Sequence, residues 1–140
     1  MLSAGGIVLF CFGIGWSQTK QSGKQSEENI RLIASIEGPN LYKAYCAVCH
    51  GANAKGNGPM AMFLKTQPAD LTRIQERNNG MFPRAKVRRI ISGEEPRPAG
   101  HGTRDMPVWG PIFSQVAWDQ DLGRVRIDNL ARYLETLQGK

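Results

Sequence analysis

Two thiols and an imidazole fall within five residues at Cys46-Ala47-Val48-Cys49-His50. This C-x-x-C-H spacing is the attachment pattern of a c-type haem. Each position has a chemical reason. Two thiols must reach two vinyl groups on one side of a porphyrin and form thioethers with them. The residue after the second thiol then lies beneath the iron, where His50 offers an imidazole nitrogen as proximal ligand. Other uses of a C-x-x-C pair fit less well. Structural zinc takes four ligands, usually with a second Cys or His pair. Only Cys11 and His101 remain for that role, and Cys11 lies in an apolar run. A thioredoxin-like dithiol needs a strand–motif–helix context within an α/β alternation. No such alternation is present.

A c-type haem needs a second axial ligand, whose identity sets the redox chemistry. The candidates downstream are Met60, Met62, Met81, Met106 and His101. Met106 lies in His101-Gly102-Thr103-Arg104-Asp105-Met106-Pro107-Val108-Trp109-Gly110, a stretch whose Gly and Pro content reads as a loop. Pro107 restricts the backbone of the residue before it and so holds Met106 extended, suited to draping a thioether over a haem face. Met60, Met62 and Met81 are expected to fill gaps in the core, the usual use of methionine. His101 is the rival to Met106. It would give a bis-His haem of lower potential, although its glycine neighbours also suit a plain exposed loop residue.

The elements that must hold these groups are legible in outline. Pro39 is well placed to open a helix running to about Cys46. Residues 51–80 are dominated by Gly, Asn and Pro and should be mostly loop with short helical turns. Arg84 to Ser92 reads as a short basic helix with Val87, Ile90 and Ile91 on its apolar side and Gly93 as its stop. The clearest helix is the last, where Ile127, Leu130, Ala131, Leu134 and Leu137 form one apolar stripe. Glu27 to Ile36 has some amphipathic character through Ile30, Ile33 and Ala34.

The chain has 140 residues and no internal repeat, which suits one domain. Leu2 to Trp16 is almost wholly apolar and carries no charge, whereas Ser17 to Ser26 is polar. Residues 1–25 are therefore expected to be a signal peptide or N-terminal membrane anchor with a flexible polar linker, and residues 26–140 the folded domain. Fifteen apolar residues fall short of the ~20 of a full membrane span. The run lacks a basic segment before it, so the true start could lie upstream. Cys11 reads as an ordinary apolar residue of that run, since bulky Phe10 before it is unlike a lipobox.

Four stretches carry a resemblance to the class I cytochromes c, and more closely to the bacterial monohaem type. They are Gly38-Pro39-Asn40-Leu41-Tyr42 leading into Cys46–His50-Gly51, then Gly56-Asn57-Gly58-Pro59, then Pro68-Ala69-Asp70-Leu71-Thr72, and finally Met106-Pro107 followed by a C-terminal helix. The resemblance covers roughly residues 38–138. It implies a small all-α globule, with helices and loops wrapped around one haem held covalently through Cys46 and Cys49. It implies that the first and last helices cross, with Tyr42 and Tyr133 meeting near the crossing. By the same resemblance Pro59 matches the proline whose carbonyl accepts a hydrogen bond from the other nitrogen of the proximal histidine. Haem attachment in this family occurs on the outer side of the bacterial inner membrane. The expected location is therefore periplasmic, with the protein either free or anchored to the inner membrane.

With 18 Lys and Arg against 12 Asp and Glu, the chain carries a formal charge of +6. Arg73, Arg77, Arg84, Lys86, Arg88, Arg89, Arg97 and Arg104 concentrate that charge in the middle of the domain. Such a surface either steers an acidic redox partner or is simply a solvated face. Nucleic acid is the other common partner of a basic protein, but an exported haem protein would rarely meet it. With His50 and Met106 as axial ligands both iron positions are filled, which points to electron transfer with no substrate chemistry. A free shuttle and a haem subunit of a respiratory or dehydrogenase complex fit equally. The alternative is a haem subunit with a displaceable sixth ligand, acting in catalysis or gas sensing. Against it, small haem peroxidases of this lineage usually carry two haem motifs, and a sensor needs an output domain.

Overall fold

In the computed structural model, residues 17–95, 106–115 and 120–140 are described. Among them the secondary structure is helical, without strands. The helices are α1 (Ser17–Ala34), α2 (Gly38–Leu41), α3 (Ala47–His50), α4 (Arg84–Ser92), α5 (Trp109–Gln115) and α6 (Gln120–Thr136). A wide π turn over Tyr42–Cys46 joins α2 to α3, so helical backbone continues past Cys46 to His50. Short 3-10 turns at Ala61–Phe63, Leu71–Arg73 and Glu76–Asn78 interrupt the long loop, as its composition predicts.

The apolar stripe of α6 organises the core. Ile127, Leu130, Ala131 and Leu134 are buried, and α2, α4 and α5 pack against this helix. Gly38 makes the α2 crossing close enough. A Cβ there would stand 2.4 Å from the Asn129 carbonyl oxygen and 2.6 Å from Tyr133 Cβ. Only glycine allows that approach. One turn on, the rings of Tyr42 and Tyr133 lie 5.6 Å apart, tilted at 55°, a favourable aromatic geometry. The Tyr42 hydroxyl donates to the Gly51 carbonyl at 2.7 Å, tying this crossing to the residue that follows His50. Helix α4 buries Val87 and Ile91 and ends at Gly93, as expected.

Two expectations about these elements need correction. The polar stretch from Ser17 is helical rather than a flexible linker, and α1 runs unbroken across residues 25 and 26. Its Lys, Gln and Glu residues are good helix formers and no proline intervenes. On this helix Ile30 and Ala34 are exposed, so the amphipathic pattern of the segment is not used for burial at those positions. Second, Trp109 and Gly110 belong to α5 rather than to a loop, and Pro111 falls in its first turn, where a missing N–H costs nothing. Leu2 to Trp16, including Cys11, lies outside the described residues. No helix among the described residues is long and apolar enough to cross a membrane.

Arg126 of α6 is a buried charge, only 2% exposed. Its guanidinium donates to the carbonyls of Ser35 (3.2 Å), Ala34 (3.3 Å) and Phe113 (3.2 Å). Ala34 is the last residue of α1, and Phe113 lies in the last turn of α5. Two helix C-termini, where carbonyls lack intrahelical partners, thus converge on one cation. Replacing Arg126 with leucine should strand these carbonyls and lower the unfolding free energy by about 3 kcal/mol. Chemical denaturation of the holoprotein would measure the loss, and an unchanged midpoint would contradict it.

Much of the basic charge in mid-domain is matched within the fold. Arg84 pairs with Glu135, while Arg88 (3.6 Å) and Arg132 (2.8 Å) share Asp128, bracing α4 against α6. Arg73 pairs with Glu76 at 2.6 Å and Arg89 with Glu95 at 2.9 Å. Arg97 and Arg104 lie outside the described residues.

Candidate haem site

A cavity of about 530 Å³ opens among the C-x-x-C-H segment, α4, α6 and the chain at Met106. Its size lies within the ~300–1,000 Å³ usual for cofactor pockets. Cys46, Cys49 and His50 line it, and so do Met106 and Pro107. Val87, Ile90 and Ile91 of α4 and Leu130 and Leu134 of α6 supply apolar lining. Residues separated by more than fifty positions in the chain are thereby brought to one space. His101 lies outside the described residues.

His50 is oriented by the backbone. Its Nδ1 faces the Ala69 carbonyl oxygen at 3.0 Å, which leaves Nε2 as the nitrogen available to a metal. The partner is Ala69 and not Pro59, and the reason is the path of the loop. Leu71 N–H donates to the Ala54 carbonyl at 2.7 Å, and Gly56 N–H to the His50 carbonyl at 2.8 Å. These bonds fold the Pro68–Leu71 segment back onto the turn after His50. Gly58 and Pro59 instead pass along the C-x-x-C-H segment, with Gly58 N–H donating to the Cys49 carbonyl at 3.0 Å. A Cβ on Gly58 would meet the Val48 carbonyl oxygen at 2.5 Å.

Asp70 fixes the carbonyl that holds His50. Its carboxylate accepts from the Thr72 amide at 2.8 Å and the Thr72 hydroxyl at 2.6 Å, capping the turn Leu71–Arg73. The Arg77 guanidinium donates to the Asp70 carbonyl oxygen at 2.7 Å. Burial opposes the charged carboxylate, but the two Thr72 hydrogen bonds together with the nearby charges of Arg77 and Lys55 outweigh it and hold the carboxyl below its usual range. A depressed carboxyl stabilises the fold above its unfolded pKa of ~3.9 and loses that contribution as pH falls through the folded value. Asp70→Ala should therefore cost about 1 kcal/mol at neutral pH, as loss of a cap does. Below the carboxyl's folded pKa the variant and the parent should converge. Acid titration of stability would show this; a constant gap down to the most acidic pH would refute it.

Burial lowers the pKa of His50 and outweighs the opposing Ala69 hydrogen bond, which favours the neutral imidazole that metal ligation needs. The Cys46 thiol is pushed up to about 12, first by burial and then by the neighbouring Cys49. Neither cysteine is tied up in a disulfide. Behind them Tyr45 packs edge-on against Trp109 (5.2 Å) and Phe113 (5.1 Å), while Trp109 stacks on Phe113 (5.4 Å). Tyr45 and Trp109 also line the cavity. These aromatics and the Ala69 carbonyl were not singled out by the sequence reasoning. A carbonyl has no side-chain signature, whereas the aromatic types alone could have drawn notice to the other two.

Met60, Met62 and Met81 are not core residues. They are 42%, 81% and 71% exposed. The loop that carries Met60 and Met62 lies outside the C-x-x-C-H segment, and the core is already filled by Leu41, Phe113 and the α6 stripe.

Two spaced thiols, an imidazole with one nitrogen committed, and a thioether thus open onto one mainly apolar cavity. That donor set and that space fit a covalently attached haem, and an all-α shell around such a site defines the haem-c class of proteins. The chain belongs to the cytochrome c family, whose model matches residues 35–138. No curated protein and no solved structure matches it. Membership brings covalent haem c, electron transfer by that haem, and redox proteins as partners.

Proposed function

We propose that the chain is a single-haem electron carrier of the class I bacterial type. Cys46 and Cys49 would hold the haem covalently, and His50 and Met106 would ligate its iron. When bound, the haem supplies one-electron chemistry at iron, and the protein sets its potential and its access. The single observation that carries the reading is the meeting of Met106 with Cys46, Cys49 and His50 in the lining of one cavity. His50 Nε2 is left for iron because Ala69 takes Nδ1. Apolar side chains from α4 and α6 exclude water and so limit the reorganisation that accompanies a change of charge. With His50 and Met106 both holding iron, no position would be left for a substrate, and the protein would act as carrier or electron-transfer subunit rather than as an enzyme.

The apolar run before Trp16 and the haem attachment pattern support export to the periplasmic side of a bacterial membrane. There the N-terminal segment is either removed or retained as an inner-membrane anchor. A spectroelectrochemical titration of the exported protein tests the carrier reading. It should give one reversible one-electron wave and, in the ferric form, the weak far-red band of thioether-ligated haem c. Two waves, or a ferric spectrum without that band, would contradict a single His–Met haem.

A further inference from the structure

We infer that the buried positive charge of Arg126 holds the haem's reduction potential up, a role beyond its bracing of α1 and α5; this rests on the electron-carrier reading above. Arg126 lies one turn before Leu130 on α6, and side chains four apart share a helix face. Leu130 lines the haem cavity. On its other side, the guanidinium donates to the Phe113 carbonyl at 3.2 Å through a buried bond. The Phe113 ring stands 5.1 Å from the ring of Tyr45, which lines the cavity. Two short routes, one along α6 and one across the aromatics of α5, thus lead from the charge to the cavity wall. The charge is felt at that wall. Burial raises the Tyr45 phenol above its usual range, and the Arg126 cation is the influence that opposes it.

Burial makes this charge count. At 2% exposure the guanidinium is shielded from the salt and water that screen surface charges. Its three hydrogen bonds run to carbonyls, which are dipoles without net charge. The two helix C-termini lend partial negative charge, yet they stay in place whether residue 126 is charged or neutral. The arginines of the surface differ. Arg84, Arg88, Arg89 and Arg132 are partly or largely exposed and each pairs with a carboxylate, so their fields are screened or cancelled. Helix-end carbonyls need donors, which a neutral amide also supplies; the net charge is the part of Arg126 that bracing alone does not require. Oxidation leaves one more positive charge in the cavity, and a fixed cation beside it opposes that step. At an effective dielectric constant of ~20, two unit charges ~12 Å apart interact by about the free energy of a tenfold change in an equilibrium constant.

Spectroelectrochemical titration of the holoprotein is the test, run at mildly acidic pH, where a buried lysine keeps its proton. Arg126→Gln should shift the equilibrium toward the ferric form about tenfold, which is ~59 mV for one electron. Arg126→Met, a second neutral variant in case the first accumulates poorly, should do the same. Arg126→Lys keeps the charge but not the planar fork. It should lose stability in chemical denaturation, as the neutral variants do, yet stay within about twofold of the parent's equilibrium because the charge remains. Arg124→Met removes an exposed arginine of the same helix, and solvent screening should keep its effect below about twofold. The shift in the neutral variants should persist from low to high salt, with the far-red ferric band retained. A potential unchanged in the neutral variants, or lowered equally in Arg126→Lys, would overturn the inference and leave Arg126 a brace only. So would loss of the far-red band in the neutral variants, since the shift would then come from a change of ligand. A parent that gave no reversible one-electron wave would instead count against the carrier reading itself.

Discussion

Replacing Met106 with alanine is expected to open the sixth iron position and to lower the reduction potential by a few tenths of a volt, within the ~0.8 V range that axial ligands command. Met106 lines the cavity that His50 also lines, and Pro107 beside it lines the same space. Sulfur ligation favours ferrous iron relative to a second imidazole, so its loss moves the potential downward. The variant should also bind an added small ligand such as imidazole, which the parent resists. His101→Ala should leave both properties nearly unchanged. The reverse result, with His101→Ala abolishing the low-spin spectrum and Met106→Ala leaving it intact, would make the haem bis-His and remove the high-potential carrier reading.

Loss of His50 should have a still broader effect, preventing a stable holoprotein from accumulating at all. No other side chain follows the second thiol so closely, and the Ala69 carbonyl at 3.0 Å orients this ring alone. The haem should also be part of the core. Val87, Ile91, Leu130 and Leu134 are buried and at the same time line the cavity. Without a porphyrin they would face an apolar void, which costs stability in proportion to its volume. His50→Ala should therefore yield little haem-stained protein and rapid proteolysis of the chain. Circular dichroism and yield would show this, and a variant with a normal low-spin spectrum would refute it.

What the sequence discloses follows from how local each feature is. The C-x-x-C-H segment carries its chemistry in five consecutive residues, and the α6 stripe repeats at helical spacing, so both are visible without a structure. Gly93 announces the end of α4 for the same reason. Tyr42 meeting Tyr133 was implied only by family resemblance, since ninety residues separate them. Features created by packing were hidden. Helix α5 begins Trp109-Gly110-Pro111, which reads as a breaker, and it is held by burial of Phe113 against α6. Arg126 reads as a surface charge until two helix ends are seen to meet on it. Pro59 was a reasonable choice as the histidine's backbone partner. Which carbonyl reaches Nδ1 depends on how the 51–70 loop folds back, and that is set by hydrogen bonds among main-chain groups. Met60, Met62 and Met81 illustrate another limit, because methionine composition does not distinguish a gap-filler from an exposed residue.

Acid–acetone extraction of the denatured, exported protein, followed by mass analysis of the peptide spanning Cys46 and Cys49, tests the central claim most directly. Haem should remain with the chain, and that peptide should carry the mass of one haem joined through both sulfurs. Free haem in the organic layer, with both thiols unmodified, would contradict the account.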